Sequence, residues 1–179
     1  MIFRETILKG AFLIDLEPHE DERGFFARTF CVQEFQAQGL NARLAQCSIS
    51  FNKTRGTLRG MHWQTAPQAE AKLVRVTRGG IFDAIIDLRL GSPTFRQHFV
   101  AELTAENRRM LYVPEGCAHG FQTFEDSTEV FYQMSAVFAP ALARGVRWDD
   151  PAFGIQWPEV EHRILNERDA SYPDFGGQP

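Results

Sequence analysis

The sequence predicts an all-β fold with short helices near either end. Short runs of alternating or β-branched residues recur along the chain, separated by turns rich in Gly, Pro and Asp, which is typical of a sandwich, jelly roll or barrel. The aromatic fraction of 12%, including 16 Phe, also favours strands. Helical periodicity is confined to residues 32–38, which end at Gly39, and, more weakly, to residues 161–168.

Length and composition predict one globular domain over residues 1–179. The hydrophobic fraction of 44% and the charged fraction of 23% exclude a disordered chain or a coiled coil. The net charge of −4 gives no support for nucleic-acid binding. An anionic ligand would therefore need a local cluster of cations.

The cysteines and the N-terminus predict a cytoplasmic, soluble protein without a membrane partner. The three cysteines lack metal-type spacing and are expected to be reduced packing residues. The first residues lack the long apolar segment of a signal peptide, and no apolar run approaches the ~18 residues that a membrane span needs.

About ten strands are predicted from period-two alternation or continuous apolar runs. Arg78-Gly79-Gly80 between two of them predicts a tight hairpin, and residues 18–24 form a polar turn. The predicted strands cover residues 11–15, 25–30, 45–51, 73–77, 81–88, 97–103, 109–113, 118–124, 128–134 and 145–148.

Residues 56–72 (GTLRGMHWQTAPQAEAK) combine glycines with an arginine, a histidine and a lysine, which suits the wall of a functional site better than a core strand. In a strand, His62 and Gln64 share one face, and parity places Arg59 on the other. Because Gly60 lies between Arg59 and His62, a bulge at this glycine would reset the parity. We therefore expect both side chains to reach one cavity.

Lys72 shares a strand face with Val74 and Val76. If that face is interior, the ammonium group needs an anionic partner or a ligand. A solvated lysine at the end of a strand explains the same spacing equally well.

A second histidine follows the turn at residues 114–120 (PEGCAHG). Cupins build metal sites from an H-x-H motif and a P-x-G-x-x-H motif on neighbouring strands. Here Gln64 replaces the second histidine of the first motif, and Glu70 is the only nearby carboxylate. His62 and His119 fall short of a three-ligand set, so we predict acid–base roles and no metal.

Two further residues are candidates with open alternatives. Tyr132 shares a strand face with Val130 and Met134, and it could be an interior tyrosine bonded to a carbonyl. Asp169 could fold back onto an imidazole or cap a surface turn.

Long ordered motifs over nearly the whole chain resemble the dTDP-4-dehydrorhamnose 3,5-epimerases. These motifs are DERGFF at 21–26, LRGMHWQ at 58–64, KLVRVTRGGIFDAIIDLR at 72–89, SPTF at 92–95, VPEGCAHGF at 113–121, FYQ at 131–133 and RGVRWDDPAFGIQWP at 144–158. The resemblance implies a cupin-type jelly roll (double-stranded β-helix), a homodimer and no cofactor. It also implies inversion of C3 and C5 of a dTDP-linked 4-keto-6-deoxyhexose on the way to L-rhamnose.

The resemblance assigns roles by position. His62 matches the general base, Tyr132 the general acid, Asp169 the residue that orients the base, and Lys72 a donor near the C4 oxygen. Arg23 and Arg59 match arginines that engage the nucleotide diphosphate. The substrate-binding residues implied in this way are Arg23, Phe26, Arg28, Gln46, Arg59, His119 and Arg168.

Two departures keep other functions open. Many members of the family carry glutamate where this chain has Arg28 and Ala143. These changes motivate a single-centre 3- or 5-epimerase acting on another NDP-linked 4-keto sugar. A metal-dependent cupin enzyme and a non-catalytic nucleotide-sugar binder are the remaining alternatives.

Overall fold

The computed structural model describes residues 1–176 and contains two antiparallel sheets that face each other, with one separate hairpin. Two short α-helices, α1 (Val32–Ala37) and α2 (Glu167–Ala170), and a 3-10 turn at Pro140–Leu142 lie outside the sheets. The strands in this part of the chain are β1 (Ile2–Glu5), β2 (Phe12–Asp15), β3 (His19–Asp21), β4 (Gly24–Phe26), β5 (Gln46–Asn52), β6 (Leu58–Gln64), β7 (Lys72–Arg78), β8 (Gly80–Asp87), β9 (His98–Thr104), β10 (Met110–Val113), β11 (Cys117–Thr123), β12 (Thr128–Met134) and β13 (Ala143–Gly145).

The sheet order explains where the core lies. One sheet has six strands in the order β1-β2-β10-β7-β12-β5, and the other has five in the order β13-β6-β11-β8-β9. Val74 and Val130 of the first sheet pack with Ile85 and Phe121 of the second in one buried cluster. The apolar alternation of these strands therefore builds the layer between the sheets.

The outer faces of both sheets are also covered. Phe35 of α1 packs on Leu73 and Tyr112 of the six-stranded sheet. On the five-stranded sheet, Val146 and Phe153 from the C-terminal third pack against strand residues. This second cover explains why β8 is buried on both faces and reads as a continuous apolar run.

The predicted all-β fold is confirmed, and most strands lie within two residues of their predicted bounds. The cupin-like β-sandwich implied by the resemblance is also confirmed. The helix predicted at residues 32–38 is α1, and Gly39 follows it with φ of +72°. The tight hairpin predicted at Arg78-Gly79-Gly80 is wrong: the turn joins β7 to β8, but β7 pairs with β10 and β12 in one sheet and β8 pairs with β9 and β11 in the other.

The predicted strand and helix boundaries that are wrong lie mainly in exposed segments, where buried and exposed residues do not alternate. In place of the predicted polar turn and the strand at 25–30, the structure has the exposed hairpin β3–β4, whose strands pair through the backbone and whose turn carries the Arg23–Asp21 ion pair. β1 was missed, and β13 begins two residues before the predicted strand. The second helix begins at Glu167 and not at 161, because Asn166 caps it and Ile164 is still bonded to the backbone of Gly56.

The cysteines and the helices bear on the predicted location. All three cysteines are free within the part of the chain that the structure describes, and Cys117 is buried in the core, whereas Cys47 is exposed. Among residues 1–176, no helix has the length and hydropathy to cross a membrane.

A bulge in β6 is the feature of the fold that shapes the cavity. His119 of β11 pairs with His62, but Phe121, two residues later, pairs with Arg59, three residues away, so β6 holds one extra residue. Gly60 occupies the bulge with φ of +122°, and a Cβ there would lie 2.5 Å from Cα of Gly120. The predicted reset of parity at Gly60 is confirmed.

Gly60→Ala is expected to destabilise the protein by about 3 kcal/mol, because alanine would be strained at this φ and would also collide with the backbone of β11. Urea unfolding followed by circular dichroism measures the change. Gly91→Ala is the matched control, since nothing lies within 4 Å of the Cβ position there. Equal stability of the two variants would contradict a rigid bulge.

Candidate active site

The candidate site is a cavity of about 470 Å³ that receives side chains from both sheets. The bulge at Gly60 turns Arg59 and His62 toward the same space. The polar strand residues that line it include Gln46, Ser48 and Ser50 from β5, Arg59, His62 and Gln64 from β6, Lys72 from β7, His119 from β11 and Tyr132 from β12.

A histidine–aspartate pair joins the five-stranded sheet to α2. Nε2 of His62 lies 2.7 Å from Oδ1 of Asp169, and the other carboxylate oxygen accepts the backbone N–H of Gly60 at 3.1 Å. Asp169 is 1% exposed, whereas the side chain of His62 is 36% exposed to the cavity. Because a carboxylate only accepts, Nε2 carries the hydrogen of the neutral imidazole, and in that form Nδ1 has the free lone pair.

The surroundings of Asp169 keep its carboxylate ionised. Burial disfavours the charge, but the hydrogen bond and charge of His62 and the N–H of Gly60 outweigh it, so the pKa of Asp169 lies below its ordinary value. The side chain of Asn166 accepts the backbone N–H of Asp169 at 2.6 Å and caps α2. The helix cap thus fixes the residue that orients the imidazole.

Lys72 lies at the cavity end of the interior face of β7. Its Nζ is 3.1 Å from Oε1 of Glu70 and 3.3 Å from the backbone oxygen of His62. The lysine is nearly buried, so the interior alternative predicted for it is the one observed. Glu70 is the anionic partner that such a lysine needs.

Tyr132 faces the same cavity from the six-stranded sheet. Burial, together with the nearby charge of Asp83, raises the pKa of Tyr132, although the charge of Arg59 acts in the opposite direction. The phenol is therefore protonated at neutral pH and can donate a proton.

His119 belongs to a second histidine–aspartate pair, which is buried. Its Nε2 lies 2.6 Å from Oδ1 of Asp83, and its ring meets that of Tyr132 edge to face at 5.9 Å between centroids. Burial raises the pKa of Asp83, while His119 and Lys72 oppose the rise. This pair fixes one wall of the cavity beside the phenol.

The side chain of Gln64 holds the loop after β12 against the segment that follows β6. Its Oε1 accepts the N–H of Ala139 at 2.8 Å, and its Nε2 donates to the backbone oxygens of Gln68 and Val137. Gln64 stands where the cupin motif has its second histidine, and its amide oxygen is already hydrogen-bonded to the backbone of Ala139. Among residues 1–176, no three His, Cys, Asp or Glu side chains cluster as a metal site would require.

Cations line the remaining wall. Nε of Arg59 donates to Oδ1 of Asn52 at 2.8 Å, and Nε of Arg168 donates to the hydroxyl of Tyr172 at 2.6 Å. Arg144 also lines the cavity. With Lys72, these groups supply the local positive charge that the overall charge of −4 does not.

The comparisons with known proteins agree with this geometry. The family model described as dTDP-4-dehydrorhamnose 3,5-epimerase matches residues 5–176. An enzyme of this description from Methanothermobacter thermautotrophicus is 41% identical over 179 residues, covering 99% of this chain and 96% of the relative. The chain belongs to the dTDP-4-dehydrorhamnose 3,5-epimerase family.

Solved structures of this epimerase family have the same fold. The crystal structure of dTDP-4-dehydrorhamnose 3,5-epimerase from Elizabethkingia anophelis matches with a TM-score of 0.94 at 35% identity, covering 98% of this chain and 96% of that chain. ChmJ, a 3'-monoepimerase from Streptomyces bikiniensis in complex with dTDP-quinovose, matches with a TM-score of 0.86 at 32% identity, covering 94% and 85%. The family predicted from the sequence motifs is confirmed.

The cavity of this epimerase-family chain gathers most of the predicted site residues. His62, Tyr132, Asp169 and Lys72 meet at it, and Asp169 does fold back onto the imidazole. The predicted substrate-binding residues at its wall are Gln46, Arg59, His119 and Arg168.

Three predicted substrate-binding residues lie outside this cavity, on or beside the hairpin β3–β4. Arg23 is exposed and paired with Asp21, and Arg28 is paired with Glu34 of α1 at 2.9 Å. Phe26 is exposed beside a separate surface depression. Arg23 therefore does not join Arg59 at the cavity of its own chain, and the ligand-binding roles of Arg23, Phe26 and Arg28 stay predictions.

The residues that the sequence did not reveal include Asp83, which lies behind His119, and Phe138, which lines the cavity. Asp83 stands inside the apolar run of β8 (GIFDAIID), and a carboxylate at such a position signals a buried partner. Phe138 lies in the loop held by Gln64, is exposed and lines the cavity. No strand pattern includes this phenylalanine, so only the folded loop brings it to the site.

Asp169→Asn is expected to lower the free energy of unfolding by about 1–3 kcal/mol at neutral pH, because the ionised carboxylate is favoured in the folded state. A lowered pKa contributes stability above the ordinary value of 3.8, and this contribution is lost as the pH falls through the lower folded value. The difference from the parent protein should therefore shrink at about pH 3.

Urea unfolding at both pH values measures this difference. Glu161→Gln is the control, since Glu161 is highly exposed and its contact in the described structure is His162 at 3.7 Å. A difference between parent and Asp169→Asn that stays constant with pH would show that the carboxylate charge is not what the fold favours.

Proposed function

We propose that this protein inverts C3 and C5 of a dTDP-4-keto-6-deoxyhexose through an enolate, with His62 as base and Tyr132 as acid. The observation that carries the proposal is the position of these two residues in one cavity. His62 comes from β6 of one sheet and Tyr132 from β12 of the other. A sugar carbon held between the two sheets would lose its proton to one side and regain a proton from the other.

Removal of the proton depends on His62 and Lys72. Nδ1 of His62 is the nitrogen with a free lone pair, because Nε2 donates to Asp169. The proton next to a ketone becomes acidic only if the enolate oxygen is stabilised, and the ammonium of Lys72 is the donor proposed for the C4 oxygen. One such donor is worth about 3 kcal/mol in the transition state.

Return of the proton depends on Tyr132. Its raised pKa keeps the phenol protonated until the enolate forms. The charge of Arg59 favours the phenolate, so the arginine would stabilise the tyrosine after it has donated. One base and one acid can serve both carbons if the ring shifts between the two steps.

The cations and an aromatic ring support a nucleotide diphosphate as the rest of the substrate. Arg59, Arg144 and Arg168 line the same cavity as the catalytic group. The exposed ring of Phe138 offers a flat apolar surface to a base. The relative ChmJ was crystallised with dTDP-quinovose, which also favours dTDP as the nucleotide.

Incubation with dTDP-4-keto-6-deoxyglucose in deuterated water should place deuterium at C3 and C5, measured by NMR and mass spectrometry of the recovered sugar. His62→Ala should abolish exchange at both carbons, a loss of at least about 10³-fold, because the base is missing. Tyr132→Phe should reduce inversion by a larger factor than it reduces exchange. If C3, C5 or both carbons carry no deuterium, the proposal is refuted.

Tyr112→Phe is the matched control for this experiment. The Tyr112 hydroxyl accepts the N–H of Asn41 on the outer side of the six-stranded sheet, where burial raises its pKa to about 12. Loss of that hydroxyl should leave the labelling pattern and its rate unchanged.

A single-centre epimerase is the second candidate function. The match with ChmJ, a 3'-monoepimerase, supports it, as does Ala143, a small residue in the cavity wall where many family members carry glutamate. Label at one carbon only, tested across several NDP-4-keto-6-deoxy sugars, would decide for this alternative.

We also propose that the protein works as a homodimer in the cytoplasm. β5 is an edge strand, and its face away from the cavity exposes Cys47, Ile49 (60%) and Phe51 (47%). Such an apolar edge favours burial against another chain. A second copy would also explain why the predicted ligand residues Arg23 and Phe26 lie outside the cavity of their own chain. Reduced, unpaired cysteines fit the cytoplasm.

Mixing Arg23→Ala and His62→Ala chains tests this arrangement. If Arg23 serves the cavity of the partner chain, each mixed dimer holds one intact site, and random assembly should restore about a quarter of the parent activity. The two variants assayed separately are the control and should stay inactive or strongly impaired. Gel filtration of the parent protein measures the oligomeric state. Absence of recovery in dimers shown to exchange chains would place Arg23 in its own chain's site or outside any site.

A further inference from the structure

Tyr172, just after α2, makes two different contacts with the site. Its ring meets the imidazole of His62 edge to face, with 5.9 Å between centroids. Its hydroxyl accepts a hydrogen bond from Nε of Arg168 at 2.6 Å. The resemblance assigns no role to this residue, yet it touches both the proposed base and a cation of the cavity wall.

Gly145 of β13 provides the space for the tyrosine ring. Gly145 is the backbone partner of His62 in the sheet. A Cβ on Gly145 would lie 2.2 Å from Cζ of Tyr172 and 2.3 Å from its Cε2. The ring therefore rests directly on the β13 backbone, at the register position beside the histidine.

Without Tyr172, the side chains of His62 and Arg168 would have few restraints. Asp169 holds Nε2 of His62, but the side chain is 36% exposed and could rotate about that single hydrogen bond. Arg168 is exposed, and its guanidinium contacts in the described structure are the hydroxyl and ring of Tyr172. A tyrosine fixed by Gly145 restrains both side chains.

We propose that Tyr172 is a positioning residue with two separable actions: its ring sets the orientation of the His62 imidazole, and its hydroxyl holds the Arg168 guanidinium at the cavity wall. The roles of His62 as base and of Arg168 as a diphosphate ligand rest on the proposed function. The phenol stays neutral, because burial raises the pKa of Tyr172, so it accepts from the arginine throughout the neutral range.

Tyr172→Phe and Tyr172→Leu separate the two actions. Phenylalanine keeps the ring on Gly145 but releases Arg168, so KM for the dTDP sugar and Kd for dTDP should rise about five-fold while kcat stays within about two-fold. Leucine also removes the ring, so kcat should fall about ten-fold in addition, and the NMR signals of the His62 imidazole should shift. Tyr112→Phe is the control for loss of a tyrosine hydroxyl elsewhere.

A double-mutant cycle shows whether the hydroxyl acts through the arginine. In an Arg168→Ala background, Tyr172→Phe should have no further effect on Kd for dTDP. A full five-fold effect in that background, or no effect of Tyr172→Phe in the parent, would overturn the action on Arg168. Unchanged kcat and unchanged His62 signals in a folded Tyr172→Leu would overturn the action on the base.

These measurements separate failure of this inference from failure of the proposed function. Binding of dTDP and the His62 signals are read without turnover, so they report on Tyr172 even if no sugar is epimerised. If Tyr172→Leu does not fold, Tyr172→Phe, which retains the packing ring, still tests the action on Arg168, and Tyr172→His tests the requirement for a ring beside His62.

Discussion

The carboxylate of Asp169 is the interaction on which the site depends. One oxygen accepts from the imidazole of His62, and the other accepts from the backbone N–H of Gly60. The same side chain thus fixes the base and ties α2 to the bulge that turns the base into the cavity. Because it is buried, its charge is retained through these donors and the nearby charge of Arg168.

Docking of the C-terminal segment is consequently part of the active site. Before α2, Ile164 exchanges backbone hydrogen bonds with Gly56 and Leu58. After α2, the N–H of Phe175 is bonded to the buried carboxylate of Asp150, and the Phe175 ring packs on Phe153. A helix of four residues would not be stable by itself, so these attachments on both sides hold Asp169 against the sheet.

The two histidine–aspartate pairs contain the same chemical groups but differ in their exposure to the cavity. His62 and His119 are direct neighbours across β6 and β11. The pair of His62 opens to the cavity, where its free nitrogen can meet a ligand. The pair of His119 is enclosed beside Tyr132, where burial raises the pKa of Asp83. The open pair suits proton transfer, and the enclosed pair suits shaping of the wall.

The sequence by itself determined the strand pattern, the bulge at Gly60 and the family, because these depend on local alternation, on a glycine between two functional residues and on long motifs. Strand parity made His62, Lys72 and Tyr132 candidates, and the family resemblance assigned their roles. Only the tertiary structure decided that Asp169 reaches His62 across 107 positions, that Asp83 lies behind His119, and that Arg23, Phe26 and Arg28 stay outside the cavity. Contacts between distant segments follow from how the sheets and the C-terminal segment pack, and period-two alternation carries no information about that packing.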